Sequence, residues 1–168
     1  MNEVFIRPAL ESDLEGIVLL LLRIWKEQYR SFLPASFLDK MNFDHQLKRH
    51  QKYFGKGSTY LIAENGQKDL LGFCSFGENR DSFPDSSWEL YTLYVAPEQQ
   101  GKGIGSSLIK EILRHLVHED EMAVWVMEAN PFRQFYEKRG FKWVGERMVD
   151  FGNFEVNHWI MTHLKQNE

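Results

Sequence analysis

Three glycines at alternate positions, Gly101, Gly103 and Gly105, stand where an apolar stripe begins at Ile104, Leu108, Ile112 and Leu116, widened by Ile109 and Leu113. That spacing of four predicts an amphipathic helix. Upstream, Glu89-Leu90-Tyr91-Thr92-Leu93-Tyr94-Val95 reads as a buried strand, stopped by Ala96-Pro97 because proline has no N–H for a ladder. The order is therefore strand, glycine-rich turn, helix. Alternate glycines leave no Cβ between the backbone and an approaching group. The first helical N–H groups lack internal partners, and the helix dipole adds partial positive charge there. Such a turn is an anion site, most naturally for a phosphate. An ordinary tight turn would account for one glycine, hardly three.

Two familiar phosphate loops fail on spacing. A Walker loop needs Gly-Lys-Ser/Thr, whereas Lys102 stands between glycines with Ile104 beyond them. In a dinucleotide loop, Gly-x-Gly-x-x-Gly, the third glycine would fall one place later than Gly105. A second block follows another apolar strand, Ala123-Val124-Trp125-Val126. In it Asn130 suits an N-cap, Pro131 the first helical position and Gly140 the C′ position. These bounds predict a short helix of about ten residues.

Gln100, Gly103 and Gly105 fit Gln/Arg-x-x-Gly-x-Gly/Ala. With the Leu93-Tyr94-Val95-Ala96-Pro97 strand before them, they closely resemble the acetyl-CoA loop of the GNAT family of N-acetyltransferases. The run from Asn130 through Phe135-Tyr136, Lys138 and Gly140-Phe141 is similar to that family's second signature. Together the two blocks cover under a third of the chain.

The resemblance implies an acetyl-CoA-dependent N-acetyltransferase with no metal. It also implies an α/β fold with a mixed, mostly antiparallel central sheet of about seven strands flanked by helices. In that fold the central strands splay after the glycine loop and the pantetheine arm enters the gap. Gln100, Gly101, Lys102, Gly103, Ile104, Gly105 and Ser106 are then expected to hold the pyrophosphate, chiefly through backbone N–H groups. Lys102 reads as well as a solvent-facing lysine. Leu93, Tyr94 and Val95 would offer backbone groups to pantetheine, and an N–H near Val95 to the thioester oxyanion. Tyr136 takes the place of a general acid for the leaving thiolate. Asn130 would bond the cofactor, or only cap its helix.

Glu89, at the start of the central strand, is placed to take the acceptor's proton, and reads equally as a strand-end glutamate facing solvent. Trp25, Tyr29, Phe32 and Phe37 would contact the acceptor, unless they pack beneath their own loop. The acceptor expected is a small primary amine reached by direct attack. A protein N-terminus or lysine is the rival within the class, and a catalytically silent acetyl-CoA-binding sensor the rival outside it.

Around these blocks the chain reads in order as follows. Val4 to Arg7 is a first strand, and Ser12 with Glu15 forms a capping box. The helix that follows buries Leu14, Ile17, Val18, Leu21, Leu22 and Trp25, broadened by Leu19 and Leu20. A second helical stretch runs from about Ser36 through Lys52. Thr59–Ala63 and Leu70–Gly77 are strands joined by an Asn65-Gly66 hairpin turn. Glu78 to Ser87 is a polar surface loop. Lys142–Arg147 and Glu155–Thr162 are closing strands. The tail Lys165-Gln166-Asn167-Glu168 reads as frayed.

The 168 residues suit one domain, 1–168, with a core that needs no staples. A net charge of -4 argues against nucleic acid as the main partner. A single cysteine, Cys74, excludes an internal disulfide and fits a reducing cytoplasm. The apolar run Ile17 to Leu22 is far short of a membrane span, and the N-terminus lacks the regions of a signal peptide. His115 and His118 lie three apart without a third ligand, so they read as surface residues. A homodimer is compatible with all of this.

Overall fold

The computed structural model describes residues 3–117 and 120–164; His118 and the tail from Lys165 lie outside the described residues. Its strands are β1 (Val4–Pro8), β2 (Ser58–Asn65), β3 (Leu70–Glu78), β4 (Trp88–Val95), β5 (Glu121–Met127), β6 (Lys142–Asp150) and β7 (Glu155–Leu164). They form a seven-stranded mixed sheet in the order β1-β2-β3-β4-β5-β7-β6. β1 with β2, β5 with β7 and β6 with β7 are antiparallel, while β4 runs parallel to β5. The helices are α1 (Leu14–Gln28), α2 (Ala35–Leu38), α3 (Phe43–Tyr53), α4 (Ile104–His115) and α5 (Arg133–Glu137). Among the described residues no helix is long and apolar enough to cross a membrane. The chain divides into two compact units, Met1–Phe76 with Thr92–Ile112, and Gly77–Tyr91 with Leu113–Glu168.

In the first unit α1 buries Leu14, Ile17, Val18, Leu20, Leu21 and Ile24, while Leu22 and Trp25, expected on this face, are only half-buried. Each such side chain contributes roughly 1.5–3 kcal/mol on burial, so this face outweighs weak local preferences. Leu19, expected to broaden the face, is 60 % exposed, because one residue on from Val18 turns the side chain about 100° away. Ser12 does not cap the helix. Glu11–Asp13 form a 3-10 turn instead, and Asp13 Oδ2 accepts the N–H of Leu10 at 2.7 Å.

The predicted second helix is divided into α2 and α3. Asn42 accepts the N–H of His45 at 2.9 Å and so caps a new helix where the sequence pattern suggested continuity. The β2–β3 turn also differs from a two-residue hairpin. Asn65 accepts the N–H groups of both Gln67 and Asp69, and Lys68, not Gly66, takes the positive φ. Cys74 is fully buried and burial pushes its thiol pKa up, so it packs and does not react.

An ion-pair network closes the outer edge of this unit. Arg7 bonds both Asp13 oxygens, at 2.8 and 3.1 Å, and Glu64 at 3.0 Å, while Lys68 reaches Glu64 at 2.7 Å. The Arg7 hydrogen bonds hold the Asp13 and Glu64 carboxyls below their ordinary range. The folded state therefore binds fewer protons than the unfolded chain. Its contribution is present above about pH 4 and fades as pH falls through the depressed values. Arg7→Met should thus lower the urea midpoint at pH 7 and narrow its deficit at pH 3. Equal deficits at both pH values would refute this electrostatic account.

Candidate functional site

The glycine turn folds as an open cradle in the first unit. Gly101 and Gly103 hold φ of +75° and +85°, and nothing lies within 4 Å of the place a Cβ would occupy on either. Successive backbone N–H groups in such a turn form an anion-binding concavity. It leads into α4 at Ile104, which is buried and anchors the turn, and Ser107 N–H closes the first helical bond to Gly103 at 3.0 Å.

Gln100 sits in this segment but is already committed. Its N–H bonds Pro97 O at 3.3 Å, and its side chain makes a reciprocal amide pair with Gln28, at 3.1 and 3.2 Å. The same Nε2 donates to Val95 O at 3.0 Å. Gln100 thus ties α1 and the end of β4 to the turn, and the donors left for an anion begin at Gly101. Lys102 is exposed, with Nζ 3.1 Å from Gln99 Oε1. One local signal marks Gln28: it is a polar residue four on from buried Ile24, on the apolar stripe of α1.

Trp25, Tyr29, Phe32 and Phe37 come together as expected, chiefly against one another. Trp25 stacks on Tyr29 at 4.8 Å, Phe37 lies 6.0 Å from Trp25, and Phe32 lies 4.9 Å from Tyr29. Tyr94 joins the cluster: Trp25 Nε1 donates to its hydroxyl at 3.0 Å, and burial raises the phenol's pKa. Leu93, Tyr94 and Val95 are all half-buried on β4.

In the second unit α5 has five residues where about ten were expected. Asn130 spends its side chain on the turn before it, accepting Phe132 N–H at 2.9 Å. Gly140 takes φ +85°, the C′ role its position predicts. Tyr136 is buried, with Phe135 and Phe141 edge-on at 5.2 and 5.7 Å.

Glu89 is not a solvent-facing strand end. Only 6 % exposed, it accepts Arg80 N–H at 3.1 Å and Nε at 3.0 Å on Oε2, and Nη2 at 2.6 Å on Oε1. Three of its roughly four acceptor sites are spent. The Arg80 guanidinium also covers the Tyr91 ring at 3.9 Å. Arg80 fixes the start of the loop from Glu78 to Ser87 to β4, a link no local pattern announces.

Register assembles further residues on the face that carries Glu89. Glu89 lies opposite Ala123, and Ala123 opposite Thr162. Strand alternation then places Trp125, Ile160 and His158 on that face, with Gly145 and Arg147 from β6. The loop covers part of it: Arg147 Nη1 bonds Asp81 at 2.8 Å, and Phe83 lies 3.0 Å from a Cβ position on Gly145. His158 stacks beneath Phe151 at 6.1 Å. None of these was singled out in the sequence, because register across β5, β7 and β6 brings them together.

Among the described residues no three His, Cys, Asp or Glu side chains gather to hold an ion. His50 is buried beside the Tyr60 hydroxyl at 2.9 Å, and burial pushes its pKa down to about 4.

A profile of the acetyltransferase (GNAT) family matches residues 20–141. The uncharacterized N-acetyltransferase YuaI of Bacillus subtilis is 28 % identical over 155 residues, 91 % of this chain and 86 % of its own length. The PaiA N-acetyltransferase of Thermoplasma acidophilum, solved in complex with coenzyme A, shares the fold at TM-score 0.71 and 21 % identity, covering 97 % of this chain and 99 % of that one. A chimera of the spermidine N-acetyltransferase SpeG from Vibrio cholerae does so at TM-score 0.68 and 22 % identity, covering 96 % and 95 %.

Proposed function

The chain belongs to the acetyltransferase (GNAT) family and is an acetyl-CoA-dependent N-acetyltransferase; from that premise we propose that it acetylates a primary amine of a small acceptor by direct attack. The observation that carries the cofactor half of this reading is the open Gly101–Gly103 cradle at the head of α4. Backbone N–H groups from Gly101 through Ser106 bind the pyrophosphate, and Gln100 holds the turn in shape through Gln28 and Val95. Leu93, Tyr94 and Val95 offer main-chain groups to the pantetheine arm. The Val95 N–H stabilises the oxyanion as the thioester carbonyl becomes tetrahedral.

Tyr136 donates its proton to the sulfur as the tetrahedral adduct, its C–N bond already formed, collapses and the C–S bond breaks. The part-exposed flanks of Trp25 and Phe32 meet the acceptor, backed by Tyr29, while Asn130 caps its turn. The acceptor candidates are a polyamine, an amino acid derivative or an aminoglycoside-like metabolite; a spermidine N-acetyltransferase stands among the structural neighbours. Glu89 serves as a strut for Arg80, since so little of its carboxylate remains for a proton.

Thermal melting with acetyl-CoA, CoA, NAD and ATP in separate wells tests this directly. Acetyl-CoA and CoA alone should stabilise the protein, by about 2.7 kcal/mol at a hundred times the dissociation constant. An amine screen that follows free thiol then identifies the acceptor. Stabilisation only by NAD or ATP would overturn the reading of the loop.

A further inference from the structure

Resting on the acetyltransferase reading, we propose that His158 is the base of the reaction, its Nε2 taking a proton from the acceptor ammonium on the face shared by Glu89, Trp125 and Arg147. Nδ1 of His158 lies 3.0 Å from Val156 O. A carbonyl only accepts, so Nδ1 carries the hydrogen and the neutral ring keeps its lone pair at Nε2. Among the described residues Nε2 has no partner, yet it is not sealed from solvent.

The surroundings keep the ring neutral and ready. Burial pushes the His158 pKa down, and Phe151 covers one face of the ring. From β6 the residue in register is Arg147, whose charge is answered by Asp81 of the loop; from β5 it is the apolar Met127. Farther along the face, Glu89 and Arg80 neutralise each other.

A second observation marks the same face as a seat for a ligand. Among the described residues Trp125 Nε1 is buried there without a partner, close under the Arg147 guanidinium, which lies 5.3 Å from its ring. A buried N–H left unbonded is costly, and an acceptor molecule carrying an oxygen beside its amine would satisfy it. Against Glu89 the comparison is direct. Three of the roughly four acceptor sites of the carboxylate are spent on Arg80, whereas the lone pair at Nε2 of His158 is unspent.

The protons balance. One passes from the ammonium to Nε2 and on to water, while Nδ1–H still bonds Val156 O and steadies the imidazolium. The amine nitrogen then bonds the acetyl carbon as the C=O pair moves onto oxygen, and when that pair returns the C–S pair leaves with sulfur. Tyr136 gives its proton to that sulfur and recovers one from the nitrogen. The products are amide, CoA thiol and one released proton.

His158→Asn keeps an N–H for Val156 O and removes the base. With spermidine, lysine methyl ester and an N-terminal peptide as probe acceptors, kcat/KM of the variant should fall about 10²-fold at pH 7. The acid limb of the wild-type profile, lying below the ordinary histidine pKa, should disappear. The deficit should close as pH rises toward the amine's own pKa, where no base is needed. Acetyl-CoA affinity should stay unchanged. In the wild-type protein, NMR should find the Nδ1–H tautomer and a ring titration matching the kinetic limb, which decides the matter even if the variant folds poorly. Transfer that keeps its rate and acid limb in His158→Asn, or an Nε2–H tautomer, overturns the assignment alone. No acetyl-CoA stabilisation and no thiol released with any probe overturns the function and the assignment together.

Discussion

Tyr136→Phe should lower turnover about 10²-fold at neutral pH while leaving acetyl-CoA affinity within about twofold. The ring is held edge-on by Phe135 and Phe141 and is buried, so phenylalanine fills the same space and the fold survives. What goes is the proton for the departing sulfur. A thiol, far more acidic than an alcohol, leaves tolerably as its anion, which places the effect at the lower end of the roughly 10²–10⁴ range of general acids. Free-thiol release gives the rate, and calorimetry with CoA gives the affinity. Unchanged turnover would remove Tyr136 from the chemistry. A wild-type protein that binds acetyl-CoA and turns over no amine would favour a sensor instead.

Much of the fold is legible because it is written locally. The α1 stripe, the glycine turn before α4 and the Gly140 stop all depend on residues within a few positions of each other. Local competition explains most departures: Asn42 starts a helix inside a helical pattern, and Asp13 displaces Ser12 at the head of α1. The open glycine turn is legible for the same reason, since three alternate glycines are a property of one turn. Its support is not, because Gln28 meets Gln100 across 72 positions.

The face around His158 is less legible still. Period-two alternation assigns Trp125 and His158 to one side of their strands, but which sides agree depends on register. The placement of β7 between β5 and β6, with Met127 opposite His158 and His158 opposite Arg147, is fixed by packing over the whole unit. Glu89 shows the opposite failure. Its place at a strand start suggests a free carboxylate, while an arginine nine residues earlier in a loop consumes it.

Gly103→Val should abolish measurable acetyl-CoA stabilisation, with affinity down about 10²-fold or more, while barely changing the fold. At φ +85° a β-branched side chain costs roughly 1–2 kcal/mol or more, so the turn relaxes toward negative φ and its N–H groups rotate away from a common point. Nothing lies within 4 Å of the Cβ position, so no clash with the protein itself adds to this. The open space is where an anion would rest, and the new side chain would fill it. Stability and binding are thus expected to separate: the ligand-free melting temperature falls by roughly 2–8 °C, for a cost of about 1–2 kcal/mol. Acetyl-CoA then gives no further shift. If the variant melted far lower, Gly103 would serve the fold; if it still bound acetyl-CoA normally, the cradle would have no part in holding the pyrophosphate. Only loss of binding on an intact fold ties the φ of one glycine to the capture of the acetyl donor.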